Sequence, residues 1–185
     1  MKKLMIAAAI VCAAVVSQAA SIDWSVASGS WTDASGNKPA QGTLVYLING
    51  DTALDTIAAA IADGKVTEQS WYYGSAQTDN SKGRISKLTT ASANLTAGTE
   101  YDFSALMIDG DKYMVSKVMP QNAYTPGVGE AMLVSFGSDF FGTNAQTYNA
   151  TTAPNGWATA AVPEPTSAML LLLGMAGLAL KRKRA

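Results

Sequence analysis

The chain has 185 residues, 48% of them hydrophobic and only 15% charged, which excludes a highly charged disordered protein and leaves room for one modest domain. The formal net charge of −1 hides an uneven distribution: six of the 13 basic residues sit at the two ends, and between Ser21 and Val162 the balance is about −6, which repels a phosphate backbone and excludes nucleic acid as a partner. Histidine is absent and the single cysteine is Cys12, which removes Ser-His-Asp and Cys-His catalysis, His-ligated zinc and any disulfide within the domain.

Met1-Lys2-Lys3 is a short positive region, and residues 4–16 form an unbroken apolar run, long enough for a secretory leader and short for a membrane span. Ser17 and Ala19 place small residues at the −3 and −1 positions, which predicts handling by the secretion machinery and cleavage by signal peptidase after Ala19. Cys12 follows Val11 rather than a small residue, so it reads as filler in the leader and not as a lipid attachment point.

Beyond the leader, residues 20–141 read as a β-rich extracellular domain in which Gly, Ser, Thr, Asn and Asp recur between short apolar runs. Residues 22–27 are a first, weaker strand; residues 42–48 are a strand buried on both faces, ending at the turn signal Asn49-Gly50. One helix follows. Thr52 and Asp55 approximate a capping box, Leu54, Ile57, Ala58 and Ile61 share one face, and Gly64 is placed to terminate it, so the helix should lie across a sheet. Residues 70–73 and 84–89 are further weak strands. Residues 101–108 and 112–119 flank Asp109-Gly110-Asp111, the clearest hairpin in the chain. Residues 131–136 are another strand, and 142–161, richer in Asn, Thr, Ala and Pro, are a spacer or a last edge strand near Trp157. The expected architecture is mainly β: one antiparallel sandwich or half-barrel of about seven strands with one short packed helix, flanked by an N-terminal signal helix and a C-terminal transmembrane helix.

The chemistry in this domain is sparse. Glu68, Glu100, Glu130, Asp79 and Asp139 could supply the carboxylate pair of a glycoside hydrolase, but no spacing selects two of them. Asp109-Gly110-Asp111 lacks the spread of oxygen ligands that a calcium loop needs. No metal or cofactor is expected, and no catalytic residue is assigned. Trp71, Tyr72 and Tyr73, with Trp24, Trp31 and Trp157, could form an aromatic platform for sugar rings, against the commoner use of such residues in packing.

The C-terminus has three parts in order. Val162-Pro163-Glu164-Pro165 is stiff and extended, because each proline fixes φ and disfavours helix in the residue before it. Residues 166–180 follow, wholly apolar from Ala168 onward; at about 1.5 Å per residue they reach about 22 Å, marginal against a hydrocarbon core near 30 Å. Lys181, Arg182, Lys183 and Arg184 close the chain as a basic stop that should stay cytoplasmic.

In this order and at this position, the Val-Pro-Glu-Pro segment, apolar helix and basic cluster of 162–185 resemble the PEP-CTERM sorting signal of Gram-negative bacteria. The resemblance implies recognition by an exosortase, transient residence in the inner membrane, cleavage near Pro163-Glu164-Pro165, and delivery to the cell surface or an extracellular polysaccharide matrix. On this reading the domain is a non-enzymatic structural or adhesive protein. The alternatives are a carbohydrate-binding module using exposed aromatics and a carboxylate-based extracellular hydrolase.

Overall fold

The computed structural model describes residues 20–96, 99–120 and 133–160. The signal helix and the transmembrane helix expected at the two ends lie outside these residues. Within them the chain forms two sheets and one helix, arranged as three layers with no closed barrel.

The smaller sheet has β1 (Ala20–Val26) at its centre, between β4 (Ile85–Ser92) and β8 (Leu133–Phe136). The larger has the order β3 (Tyr72–Gln77), β2 (Leu44–Asn49), β5 (Asp102–Asp109), β6 (Lys112–Val115) and β9 (Ala158–Thr159), with β7 (Met119–Pro120) also paired to β5. The period-2 alternation of strands decides which side chains meet. Ile22, Trp24 and Val26 of β1 and Val134 and Phe136 of β8 face Val45, Leu47, Phe103, Ala105, Met107 and Met114 of the larger sheet, and all are buried. The opposite face of the larger sheet presents Ile48, Leu106, Tyr113 and Val115 to α1 (Leu54–Ala62), which contributes Ile57 and Ala60. Strand β2 is therefore covered on both sides, as its continuous apolar run predicts. A nine-residue helix is too short to persist alone, so α1 owes its stability to this contact.

Gly64 ends α1 at φ 67°, and its N–H donates to the Ile61 carbonyl, the C-terminal arrangement that the sequence suggests. The start of the helix differs. Its N-cap is Ala53 and carries no side-chain cap. Thr52 instead closes the preceding turn, its N–H donating to the Asn49 carbonyl, while the Asn49 side chain accepts from Asp51 N–H. The turn and the capping box compete for the same residues, and the turn wins.

The hairpin at Asp109 forms in register, with Asp109 opposite Lys112 and Gly110 at φ 63°, the first central position where such turns favour glycine. Its second arm breaks earlier than expected, into β6 and β7. The Ser116 hydroxyl accepts from Ala105 N–H and donates to the Lys117 carbonyl, and Lys117 N–H turns to the Phe140 carbonyl.

An all-antiparallel architecture is not what forms. β1 pairs with β8 in parallel, Asp23 opposite Leu133 through Val26 opposite Phe136. Tight turns force neighbouring strands to be antiparallel, but β2 to β7 lie between these two in the chain, so it returns free of that constraint.

Residues 142–160 are packed into the fold. Ala145, Thr147, Ala153, Trp157 and Ala160 are buried, and β9 adds the last edge to the larger sheet, pairing Lys112 with Thr159 and Tyr113 with Ala158.

Candidate functional site

The described part of the chain ends at the edge of the larger sheet. Trp157 is buried, its indole N–H donates to the Thr32 carbonyl at 3.0 Å, and its ring lies 6.4 Å from that of Trp31. Two residues of β9 follow, and then Ala160, which is 2% exposed and donates its N–H to the Asp111 carbonyl at 2.8 Å. The chain is thus fastened to the edge of the larger sheet up to Ala160. Val162, Pro163, Glu164, Pro165 and Lys181, Arg182, Lys183, Arg184 lie outside the described residues, as do Ser17 and Ala19 of the leader.

Trp71, Tyr72 and Tyr73 do not assemble into one platform. Tyr73 is buried between the sheets, its ring 5.6 Å from both Tyr101 and Phe103, and burial pushes its hydroxyl well above the ordinary tyrosine range. Tyr72 is half-buried on the other face of β3, edge-on to Tyr46, with its hydroxyl 3.2 Å from that of Ser75. Trp71 is half-buried against the layer formed by α1 and the larger sheet, and its indole N–H is buried with no acceptor. Trp24, Trp31 and Trp157 are all core residues. Among the described residues the exposed aromatic is Tyr148, at 39%.

An orphaned buried donor costs about 1–3 kcal/mol, comparable with the packing that an indole gains over a phenyl ring. Trp71→Phe is therefore expected to leave stability within about 1 kcal/mol of wild type, whereas Trp71→Ala costs about 3 kcal/mol by opening a cavity. Urea midpoints of the two variants check this. A Trp71→Phe loss as large as that of Trp71→Ala would show that the indole nitrogen has a partner in solution.

The candidate acids Glu68, Asp79, Glu100 and Asp139 stand on separate segments of the chain. Glu68 and Asp139 stand in short 3-10 turns and are exposed, and Glu130 lies outside the described residues. Asp79 is tied to Arg84 at 2.9 Å and accepts from the Ser86 hydroxyl; these bonds, Arg84 first, hold its carboxyl below the usual range. Glu100 shares a polar cleft of about 260 Å³ with Asn49, Asp51, Tyr101 and Asp102, three of its five lining residues being acids.

The carboxylate that sequence reasoning overlooks is Asp23. It is 5% exposed on β1, forms an ion pair with Lys87 at 2.8 Å and accepts from the Thr89 hydroxyl, both partners standing on β4. Lys87 first and Thr89 second hold its carboxyl below the ordinary aspartate range, outweighing the opposite effect of burial. Its folded pKa thus lies below its unfolded one, so the stabilisation is present above about pH 4 and is lost as pH falls through the folded value. Asp23→Asn is expected to lower stability at neutral pH, with the gap to wild type narrowing below about pH 4. Denaturation midpoints measured from pH 7 to pH 2.5 check this; a gap independent of pH would sink it.

A second polar concavity lies where three loops meet. Gly29 to Thr32 follow β1, the turns around Ser138 and Gly142 follow β8, and Asn155 precedes β9. The cleft measures about 300 Å³, carries no charged side chain, and has Trp31, Met114 and Phe141 in its lining.

Residues 161–184 match the model of the PEP-CTERM protein-sorting motif. No curated protein and no solved structure matches the chain. Among the described residues no helix is long and apolar enough to cross a membrane.

Proposed function

We propose that the chain is an exported substrate of an exosortase, displayed at the cell surface or in an extracellular polysaccharide matrix, where its domain has a structural or adhesive role without catalysis. The observation that carries this reading is the sorting motif at 161–184, placed directly after a folded β-domain. The absence of histidine from the chain weighs on the non-enzymatic side. Export without disulfides leaves the domain dependent on its two apolar layers. The test is the intact mass of the mature protein recovered from its native host. A mass spanning about Ala20 to near Val162 supports the reading; a mass that retains 166–185 overturns it in favour of a permanent tail anchor.

Saccharide binding is a second reading, and one observation favours it. The side chains of Thr32, Ser138, Thr143, Asn144 and Asn155 line the three-loop cleft, and none forms a hydrogen bond to another described residue. Uncharged donors and acceptors above an apolar floor suit a neutral sugar. Under this reading Asn144→Ala with Asn155→Ala abolishes retention on the host's matrix polysaccharide, and unchanged retention excludes the cleft.

A further inference from the structure

Four described sites place an amide or acid directly before glycine: Asn49-Gly50, Asp63-Gly64, Asp109-Gly110 and Asn155-Gly156. Such pairs share one chemistry. The glycine amide nitrogen attacks the side-chain carbonyl carbon of the residue before it and closes a five-membered succinimide, because glycine has no side chain to obstruct the approach. From asparagine the leaving group is ammonia. From a protonated aspartic acid it is water, made of the carboxyl hydroxyl and the amide hydrogen. Water then opens the ring at one of its two carbonyls. One opening yields aspartate; the other yields isoaspartate, whose main chain runs through the former side chain and is one carbon longer. In an unfolded chain the asparagine pairs react first, since an amide is a better electrophile than an ionised carboxylate.

The fold ties down three of the four nitrogens, and a donor committed to one acceptor is not free to attack. Buried Gly50 donates its N–H to the Asp102 carbonyl at 2.7 Å, and the Asn49 side chain is held as well, its Oδ1 accepting from Asp51 N–H. Buried Gly156 donates its N–H to the Ala153 carbonyl at 2.9 Å, and its own carbonyl accepts from the Thr147 hydroxyl. Gly64 N–H donates to the Ile61 carbonyl at 3.0 Å, in the turn that ends α1. Gly110 N–H, by contrast, donates to no described residue, and Asp109 and Gly110 are both exposed. The Asp109 carboxylate accepts a single long bond among the described residues, from Ala34 N–H at 3.2 Å.

Ring closure also requires the peptide after the reacting residue to rotate, which opens whatever that peptide is paired with. Asn49 belongs to β2, which is paired on both sides, and Asn155 stands two residues before buried Trp157. Asp109 belongs to the closing pair of a hairpin, opposite Lys112, where local opening is easiest.

We propose that Asp109-Gly110 is the site at which the folded protein modifies itself, isomerising to isoaspartate with water as the only other reactant. The fold thereby reverses the order of reactivity that holds in the unfolded chain. The extra main-chain carbon breaks the Asp109–Lys112 register. The relocated carboxyl also gives up Ala34 N–H, a bond that ties the hairpin to the loop between β1 and β2.

Isomerisation leaves the mass unchanged, so the test uses a variant in which the same event is visible. Asp109→Asn makes the site a third asparagine–glycine pair, with the chemistry of the other two and a different setting in the fold. Asparagine before glycine suits this turn, so the hairpin is kept. The full chain is expressed in the native host, and the recovered protein is incubated near neutral pH, folded or in urea. The mass gain of deamidation is located by peptide mapping over time. In the wild type, isoaspartate is located as a bond that an aspartate-specific endoprotease no longer cuts.

The expected result in the folded variant is deamidation at position 109 at least about tenfold faster than at Asn49 and Asn155, with the three rates converging in urea. Folded wild type is expected to gain isoaspartate at Asp109 before Asp63. A smaller excess at position 109, or reaction first at Asn49 or Asn155, overturns the proposal. So does wild-type isoaspartate at Asp63 ahead of Asp109, a readout that does not depend on the variant.

Discussion

Trp157→Ala is expected to destabilise the mature domain by about 3–5 kcal/mol, the range for truncating a buried aromatic side chain. Trp157 is 7% exposed, bonds across the molecule to Thr32, and packs against Trp31, so it joins the end of the chain to the loop that follows the first strand. Domains of this size hold about 5–15 kcal/mol in all, so the loss would be a large part of the total. The Thr32 carbonyl belongs to an exposed residue and regains water when the indole goes, so the cost is one of packing and not of an orphaned acceptor. Trp157→Phe, which keeps most of the apolar volume, should recover more than half of the loss. Urea unfolding followed by far-UV circular dichroism measures both. A Trp157→Ala midpoint within about 0.5 kcal/mol of wild type would mean that 142–160 lies on the domain without stabilising it.

The features legible in the sequence are those governed by near neighbours. The hairpin at Gly110 and the end of α1 at Gly64 each depend on a glycine at a position of positive φ, beside residues only a few places away. The double burial of β2 follows from its uninterrupted apolar run. The sorting motif is likewise local, an ordered string at one end of the chain, and it is matched over 161–184.

What escapes the sequence depends on partners far away along the chain. Asp23 sits between Ile22 and Trp24 in an alternating strand, a position that reads as solvated. It is buried because β4 brings Lys87 and Thr89 beside it, more than sixty residues on. The parallel pairing of β1 with β8 has no local signature, since strand propensity is the same in either direction. The stretch 142–160 lacks a clear apolar period and reads as either a spacer or a last edge strand; the short edge strand Ala158–Thr159 forms. The stretch packs through single residues, Ala145, Ala153 and Trp157, and through Thr147, whose hydroxyl accepts from Val115 N–H. The aromatic run at 71–73 invites a binding reading because three rings adjoin in sequence, yet strand alternation sends Tyr72 and Tyr73 to opposite faces.

Gly156→Ala is the second large effect expected, of about 2–5 kcal/mol, and it arises from backbone and overpacking and not from lost contact. Gly156 has φ 80°, a conformation that costs an L-residue about 1–2 kcal/mol. A Cβ there would also lie 2.5 Å from the Gly142 carbonyl oxygen, 3.1 Å from Ala145 Cβ and 3.2 Å from Met114 Sδ. Met114 can shift its sulfur, but the carbonyl belongs to the backbone and cannot turn aside alone; overpacking of this kind adds about 1–3 kcal/mol. The loop has little freedom to move away, because the Gly156 carbonyl accepts from the Thr147 hydroxyl and its N–H donates to the Ala153 carbonyl. Gly110→Ala separates the two contributions. Gly110 has φ 63° with open space where its Cβ would stand, so it should lose only the conformational part, about 1–2 kcal/mol. The excess of Gly156→Ala over Gly110→Ala in urea unfolding then measures the overlap with Gly142. Equal losses would mean that the three-loop cleft yields to the extra methyl, and that its walls, together with the base of β9, are softer than the packing around Gly156 implies.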